Sequence, residues 1–386
     1  MPGPSNDNLH KALLPQGLRD LLPPDAEAEA EAVGRLIAVL SGHGYERVKP
    51  PLMEFEENLL SGAGAAMAPE TFRLMDPISQ RMVGLRADMT TQIARIASAR
   101  LANAPRPLRL CYAGEALRVR GSDMQPERQI GQVGAELIGS DAIAADIEAV
   151  TLAAEALTSL GIDGLSVDLT LPTLVPAVCR AAGISGAALD ELRRALDHKD
   201  AAAVAAAAGK AATVLQKLLG AAGGAASALK ALAMLDLAPE AALERARLVA
   251  VAEQLHKAMP SLAITIDPVE NRGFEYHTGV SFSFFARGIK TELGRGGRYR
   301  TSNEVGAAED ATGFTLYTEA VLEAMTPHRP APRLYVPAGG NVAAATRWRS
   351  QGYVTVAGLV PTQDATAEAR RLGCSHLLDG ETAITV

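Results

Sequence analysis

Residues 107–139, PLRLCYAGEALRVRGSDMQPERQIGQVGAELIG, decide how this chain folds. Each half reads as a strand, and the polar loop Gly121–Glu127 between them makes the two an antiparallel pair. Along the second half Gln132 and Glu136 stand at i and i+4, so their side chains point to the same face of the sheet. Taken alone, that spacing reads first as a solvated polar row, because antiparallel sheets often keep one wet face. Arg118, from the first half, could pair with Glu136 as a simple ion pair.

Upstream, a helix is predicted over about Asp25–Ser41, started by Pro23, Pro24 and Asp25 and stopped by Gly42 and Gly44. A strand follows, which Pro50 and Pro51 confine to an edge or an interface. Residues 71–86, TFRLMDPISQRMVGLR, read as a hairpin turning at Asp76 and Pro77. It leads into an amphipathic helix beginning near Met89, where Asp88 and Thr90 could be no more than a cap. Downstream, a helix over Asp141–Leu160 precedes the strand LSVDLTL, and residues 185–258 then become alanine-rich, with seven alanines among Ala201–Ala208. That composition suits a small helical insertion.

Strands return at LAITIDP and at NRGFEYHTGVSFSFF, residues 271–285, which holds five of the chain's fifteen aromatics. Val280, Phe282 and Phe284 alternate with Ser281 and Ser283, the period of a strand with one buried face. Just before it, Arg272, Glu275, Tyr276 and His277 form a polar cluster that must meet either itself or a ligand. The glycines of KTELGRGGRY, residues 290–299, are read as a tight turn or a backbone approach to a ligand. No GxxxxGK[ST] or GxGxxG phosphate loop is present. Pro327, Pro330 and Pro332 mark a linker, and the tail alternates strand and helix as a small α/β domain.

The length of 386 residues fits two or three domains. A net charge of −7 and a pI near 5.6 give no overall cationic field for a polyanion. No run approaches the roughly 20 apolar residues of a membrane span, and Met1–Leu14 lacks a signal pattern, so a cytoplasmic location is expected. Cys111, Cys179 and Cys374 have neither disulfide nor zinc spacing. No metal or cofactor is expected.

In this order, the segments resemble the class II aminoacyl-tRNA synthetase core, specifically that of histidyl-tRNA synthetase, over roughly residues 13–325. GYERVKPPLMEF resembles the dimerisation motif, LRADMT the family's LRPE(or D)xT, and ALRVR with PERQIGQVGAE its second motif. RGFEYHTG resembles the histidine motif RGxDYYxxT, and GRGGRY the GGRYD loop. The implied fold is α+β, an antiparallel sheet flanked by helices: core at 13–184 and 259–326, a helical insertion at 185–258, and a C-terminal α/β domain at 333–386. The implied site takes free histidine. Asp88, Thr90 and Gln132 would meet its ammonium, Arg118 with Gln132 its carboxylate, and Glu136 its imidazole. Arg272 would sit near the carboxyl group, and Tyr276 with His277 would close the ring pocket. His277 stands where the synthetase has a second tyrosine.

The resemblance departs where ATP would bind. Arg120 replaces the second-motif acid and Ile130 its aromatic. GFTLYTEAV has Tyr317 for a glycine of the third motif and Ala320 for its arginine. Loss of one partner in a buried charged pair costs roughly 3–5 kcal/mol, so adenylation is expected to be absent. About 55 residues after Pro330 are too few for the synthetase's anticodon-binding domain, and no tRNA partner is expected. This pattern resembles the regulatory subunits of ATP phosphoribosyltransferase, which partner the short-form catalytic subunit in the first step of histidine biosynthesis. A non-catalytic histidine-binding subunit, dimeric through its class II core, is therefore expected. An active histidyl-tRNA synthetase, or a histidine-binding module of another protein, are the alternatives.

Overall fold

The computed structural model describes residues 13–121, 126–270, 276–301, 308–326 and 331–386. The chain divides into two compact units, Met1–Thr326 and Pro327–Val386.

The first unit opens with α1 (Asp25–Gly42). Asp25 and Glu27 occupy its first turn, at the positive end of the helix dipole, and Ala32, Leu36 and Leu40 form its buried stripe at helical spacing. It stops before Gly44, whose φ of +82° is a left-handed conformation that a side chain would strain. After β1 (Glu46–Arg47), the prolines separate it from β2 (Met53–Phe55), which joins β3 (Arg73–Met75) and β4 (Met82–Leu85) in a small antiparallel sheet of order β2-β4-β3. The β3–β4 turn is held by Asp76, whose carboxylate accepts from the Ile78 and Ser79 backbone N–H groups and the Ser79 hydroxyl. Helix α2 (Thr90–Arg95) follows and runs into a π-helical segment, Ile96–Arg100.

The main sheet has nine strands. In chain order they are β1, β5 (Leu108–Leu117), β6 (Gln129–Ile138), β7 (Ser166–Thr170), β8 (Gly223–Gly224), β9 (Ala263–Asp267), β10 (Ser281–Phe285), β11 (Gly294–Arg300) and β12 (Asp310–Tyr317). Their spatial order is β1-β5-β6-β12-β11-β10-β7-β9-β8. The central pairings are antiparallel, as the 107–139 stretch requires, with Gln132 opposite Gly114 and Glu136 opposite Leu110. Two outer pairings, β1 with β5 and β7 with β9, are parallel. Each of those pairs is joined by a long crossover, the only way to bring parallel strands together.

Register sorts the side chains. Val133, Ala135, Phe314, Leu316, Phe282 and Phe284 join one apolar cluster with α1, α3 (Ile143–Ser159) and α4 (Pro239–Ala258). Helices spanning residues 187–233 supply more of that cluster, and β8, within the same segment, adds an edge strand to the sheet. The opposite face carries Gln132, Glu136, Thr315, Arg295 and Ser283. It is not wet. Met89 and Ile93 pack over it against Leu110, Tyr112, Ile138 and Tyr299, and α5 (Thr318–Ala324) follows directly from β12.

Two expectations are corrected here. β10 is buried on both faces, with Ser281 at 0% and Ser283 at 8% exposure, because the sheet is covered on both sides. The glycines of GRGGRY form no turn: they lie in β11, where a Cβ at Gly294 or Gly296 would collide with the β12 backbone. Arg298 of that motif is a structural cation. It donates to Asp146 on α3 at 3.0 Å and to the carbonyls of Ser140 at 2.8 Å and Ala142 at 3.0 Å, tying the helix to the sheet.

The second unit runs β13 (Arg333–Val336), α6 (Val342–Ser350), β14 (Val354–Ala357), α7 (Ala365–Arg371), β15 (His376–Asp379) and β16 (Thr382–Thr385), in the order β14-β13-β15-β16. Asn341 and Asp364 cap its helices by accepting from the N–H groups of Ala344 and Ala367. The three cysteines are buried thiols. Among the described residues, no helix is long and apolar enough to cross a membrane.

Candidate functional site

The polar face of β6 meets the start of α2. Gln132 is oriented by two contacts there: its carbonyl oxygen accepts from the Met89 N–H at 3.1 Å, and its amide donates to Asp88 Oδ2 at 2.9 Å. Asp88 Oδ1 accepts from the Thr90 N–H at 2.8 Å. Asp88 therefore both caps the helix start and holds the site. Among the described residues, one amide N–H of Gln132 and the further lone pairs of the Asp88 carboxylate have no hydrogen-bond partner.

Four residues along the same strand, Glu136 is 1% exposed, as is Gln132. Neither belongs to a solvated row, and among the described residues the groups that donate to Glu136 are hydroxyls, with no ion pair to Arg118. Its carboxylate accepts from the Tyr299 hydroxyl at 2.9 Å and from Tyr112 at 3.4 Å, and Tyr112 also contacts Thr315 at 2.8 Å. Burial pushes the Glu136 carboxyl up to about 8; the hydroxyls of Tyr299, Thr90 and Tyr112 offset part of that rise, and the negative charge of Asp88 adds to it.

The space around this carboxylate is cleared by glycine. A Cβ at Gly313 would overlap Glu136 Oε2, one at Gly134 would overlap the Tyr112 hydroxyl, and one at Gly297 would crowd the His277 ring. His277 is buried, and its ring lies 4.1 Å from that of Tyr276, which in turn meets Tyr299 edge-on at 6.4 Å.

At the Gln132 end, Tyr317 on β12 stands directly opposite Gln132. Its phenol is pushed up to about 12, by burial first and then by Glu292, while Arg295 and Arg118 oppose the shift. Arg295 donates to Glu292 from Nε at 2.7 Å and from Nη2 at 2.9 Å, and Ser283 donates to the same carboxylate at 3.1 Å. The Nε of Arg118 is buried without a hydrogen-bond partner among the described residues.

Of the residues selected from sequence, Asp88, Thr90, Gln132, Glu136, Tyr276 and His277 converge here, and Arg118 lies close enough to act electrostatically on Tyr317. Arg272, with Glu275, lies outside the described residues. Sequence reasoning missed Tyr112, Glu292, Arg295 and Tyr299, and took Tyr317 only as a departure from a motif. Their membership depends on cross-strand register.

Residues 17–321 match the family model for histidyl-tRNA synthetase. The fold is that of a crystal structure from Bacillus halodurans C described as an ATP phosphoribosyltransferase regulatory subunit/histidyl-tRNA synthetase, with a TM-score of 0.78 at 24% identity over 93% of this chain and 96% of that one. Histidyl-tRNA synthetase from Nostoc sp. PCC 7120 is equally similar, with a TM-score of 0.78 at 16% identity over 95% and 91%. The class is thus a histidyl-tRNA synthetase-like class II core. Among curated sequences, the ATP phosphoribosyltransferase regulatory subunit of Paramagnetospirillum magneticum is 57% identical over 98% of this chain and 99% of that protein. That of Bordetella avium is 33% identical over 89% and 91%. The chain belongs to the family of ATP phosphoribosyltransferase regulatory subunits.

Proposed function

We propose that this subunit binds L-histidine between Glu136 and Gln132 and transmits that binding to a short-form catalytic partner, without activating amino acids itself. The observation that carries the reading is the pair of buried polar stations on one face of β6. Four residues at roughly 3.3 Å each separate them by about 13 Å. One hydrogen bond of about 3 Å at each end leaves about 7 Å, the length of an amino acid with a five-membered ring. Glu136 would accept the imidazole N–H, and Asp88 with Gln132 the ammonium. Arg118, whose Nε has no other hydrogen bond among the described residues, would face the carboxylate. Arg272 remains part of this proposal on sequence grounds.

The absence of adenylation is supported by packing. Ile130 and Ala320 are each 4% exposed and lie in the apolar cluster with Tyr317, a poor setting for a triphosphate. A dimer through the class II core and a cytoplasmic location belong to the same reading. Its test is reconstitution. The purified chain, mixed with a short-form catalytic subunit, should raise transferase activity, and L-histidine should lower it. No activation on mixing, or activation that histidine leaves untouched, removes the reading.

A further inference from the structure

The histidine reading leaves unused the cluster beyond Gln132. On the site face, Tyr317 is cross-strand from Gln132, and Arg295 pairs with Thr315, the residue two before Tyr317. Tyr317 is 6% exposed, and Arg295 is held against Glu292 by two hydrogen bonds, with Ser283 bracing the same carboxylate. A bidentate ion pair anchored to a sheet on both sides does not swing aside as a lone surface arginine would. The tyrosine hydroxyl interacts electrostatically with Glu292, Arg295, Arg118 and Asp88. A phenol whose titration is pushed up keeps its proton near neutral pH and so can donate to an anionic oxygen.

We propose that Tyr317, backed by the Arg295–Glu292 pair, is an end wall that makes the site specific for an amino acid with a free α-carboxylate and closes it to carboxyl-extended derivatives such as esters, substituted amides and mixed anhydrides. This inference rests on the histidine reading and adds its specificity determinant. In that reading the ligand carboxylate faces Arg118, and the Tyr317 hydroxyl, which shares the electrostatic environment of Arg118, would donate to its second oxygen. A group attached to that carboxyl must run into the phenol ring or break a braced ion pair. Excluding the extended ligand is useful to a sensor, because only the free end product then reports its own concentration.

The test separates size from charge by titrating the full chain with L-histidine, L-histidinamide and the N-benzyl amide of L-histidine in a calorimeter. The two amides carry the same charge and differ only beyond the carboxyl carbon. The wild type should bind the primary amide at least a hundredfold more tightly than the benzyl amide. Tyr317→Gly should narrow that ratio tenfold or more, and Tyr317→Phe, which keeps the ring, should preserve it. Arg295→Met, which removes the brace without opening a void beside the sheet, should narrow it less than the glycine variant. Equal binding of the two amides by the wild type overturns the inference even if the variants do not fold. So does an unchanged ratio in folded Tyr317→Gly. Failure of the wild type to bind L-histidine at all refutes the histidine reading, and the inference falls with it.

Discussion

Glu136→Gln should push stability and ligand affinity in opposite directions. The carboxyl titrates near 4.5 in an exposed chain and is lifted to about 8 by burial in the folded site. Between those values the unfolded chain has released its proton and the folded chain has kept it. Folded stability therefore falls as pH rises through that window and levels off above it. At about 1.36 kcal/mol per pH unit, the full window is worth up to roughly 5 kcal/mol. Glutamine does not titrate, and its carbonyl still accepts from the Tyr299 hydroxyl. Subtracting urea midpoints of wild type from those of the variant at pH 5, 6.5 and 8 should cancel every other titrating group. The difference should grow in favour of the variant as pH rises. Histidine affinity measured by calorimetry at pH 8 should nevertheless drop about tenfold to a hundredfold, since a hydrogen bond to a charged acceptor contributes roughly 1.5–3 kcal/mol. A pH-independent difference would refute the assigned environment of Glu136, and an unchanged dissociation constant would refute its role toward the ligand.

The isolated protein should catalyse no histidine-dependent ATP–pyrophosphate exchange, and Ala320→Arg alone should not restore any, because Arg120 and Ile130 still stand where the family's acid and aromatic would be. Asp88→Ala should yield a complex that assembles and turns over yet resists histidine, since an effector biases two states only through its differential affinity for them; wild-type inhibition curves in that variant would move the regulatory site to the other subunit. Asp146→Ala leaves Arg298 charged, buried and without its carboxylate, so a loss of roughly 3–5 kcal/mol in urea unfolding is expected, and a change below about 1 kcal/mol would show that the carbonyl contacts to Ser140 and Ala142 suffice.

The strand pair at 107–139 was legible because both strands are ten residues long and flank a polar loop, so local pattern alone forces their pairing. The same-face placement of Gln132 and Glu136 followed from strand geometry. What covers that face did not: burial of both depends on Met89 and Ile93, some forty residues upstream, and no local period encodes it. The GRGGRY segment misled for a related reason. Its glycines answer the close approach of β12 on one side and of β10 and the His277 ring on the other, and a single strand's sequence does not show which neighbours it will have. Likewise Val280–Phe285 alternates as if one face were wet, because serine is small enough to be buried under a second layer. Tyr112, Tyr299 and Arg295 each became site residues through register, which joins segments far apart in the chain. The two outer parallel pairings were invisible for the same reason.

Gly134, Gly297 and Gly313 lie on adjacent strands of the central sheet, and the candidate pocket has bare backbone for its floor. In most folded domains the positions that resist substitution most strongly are large apolar side chains, where removal leaves a void. Here the order is inverted. The least replaceable residues of the pocket would be the ones that contribute nothing but an absence, since even a methyl group at 313 would displace the Glu136 carboxylate. A saturation scan of this sheet should therefore show a small island of intolerance to alanine, the substitution usually chosen because it does least harm.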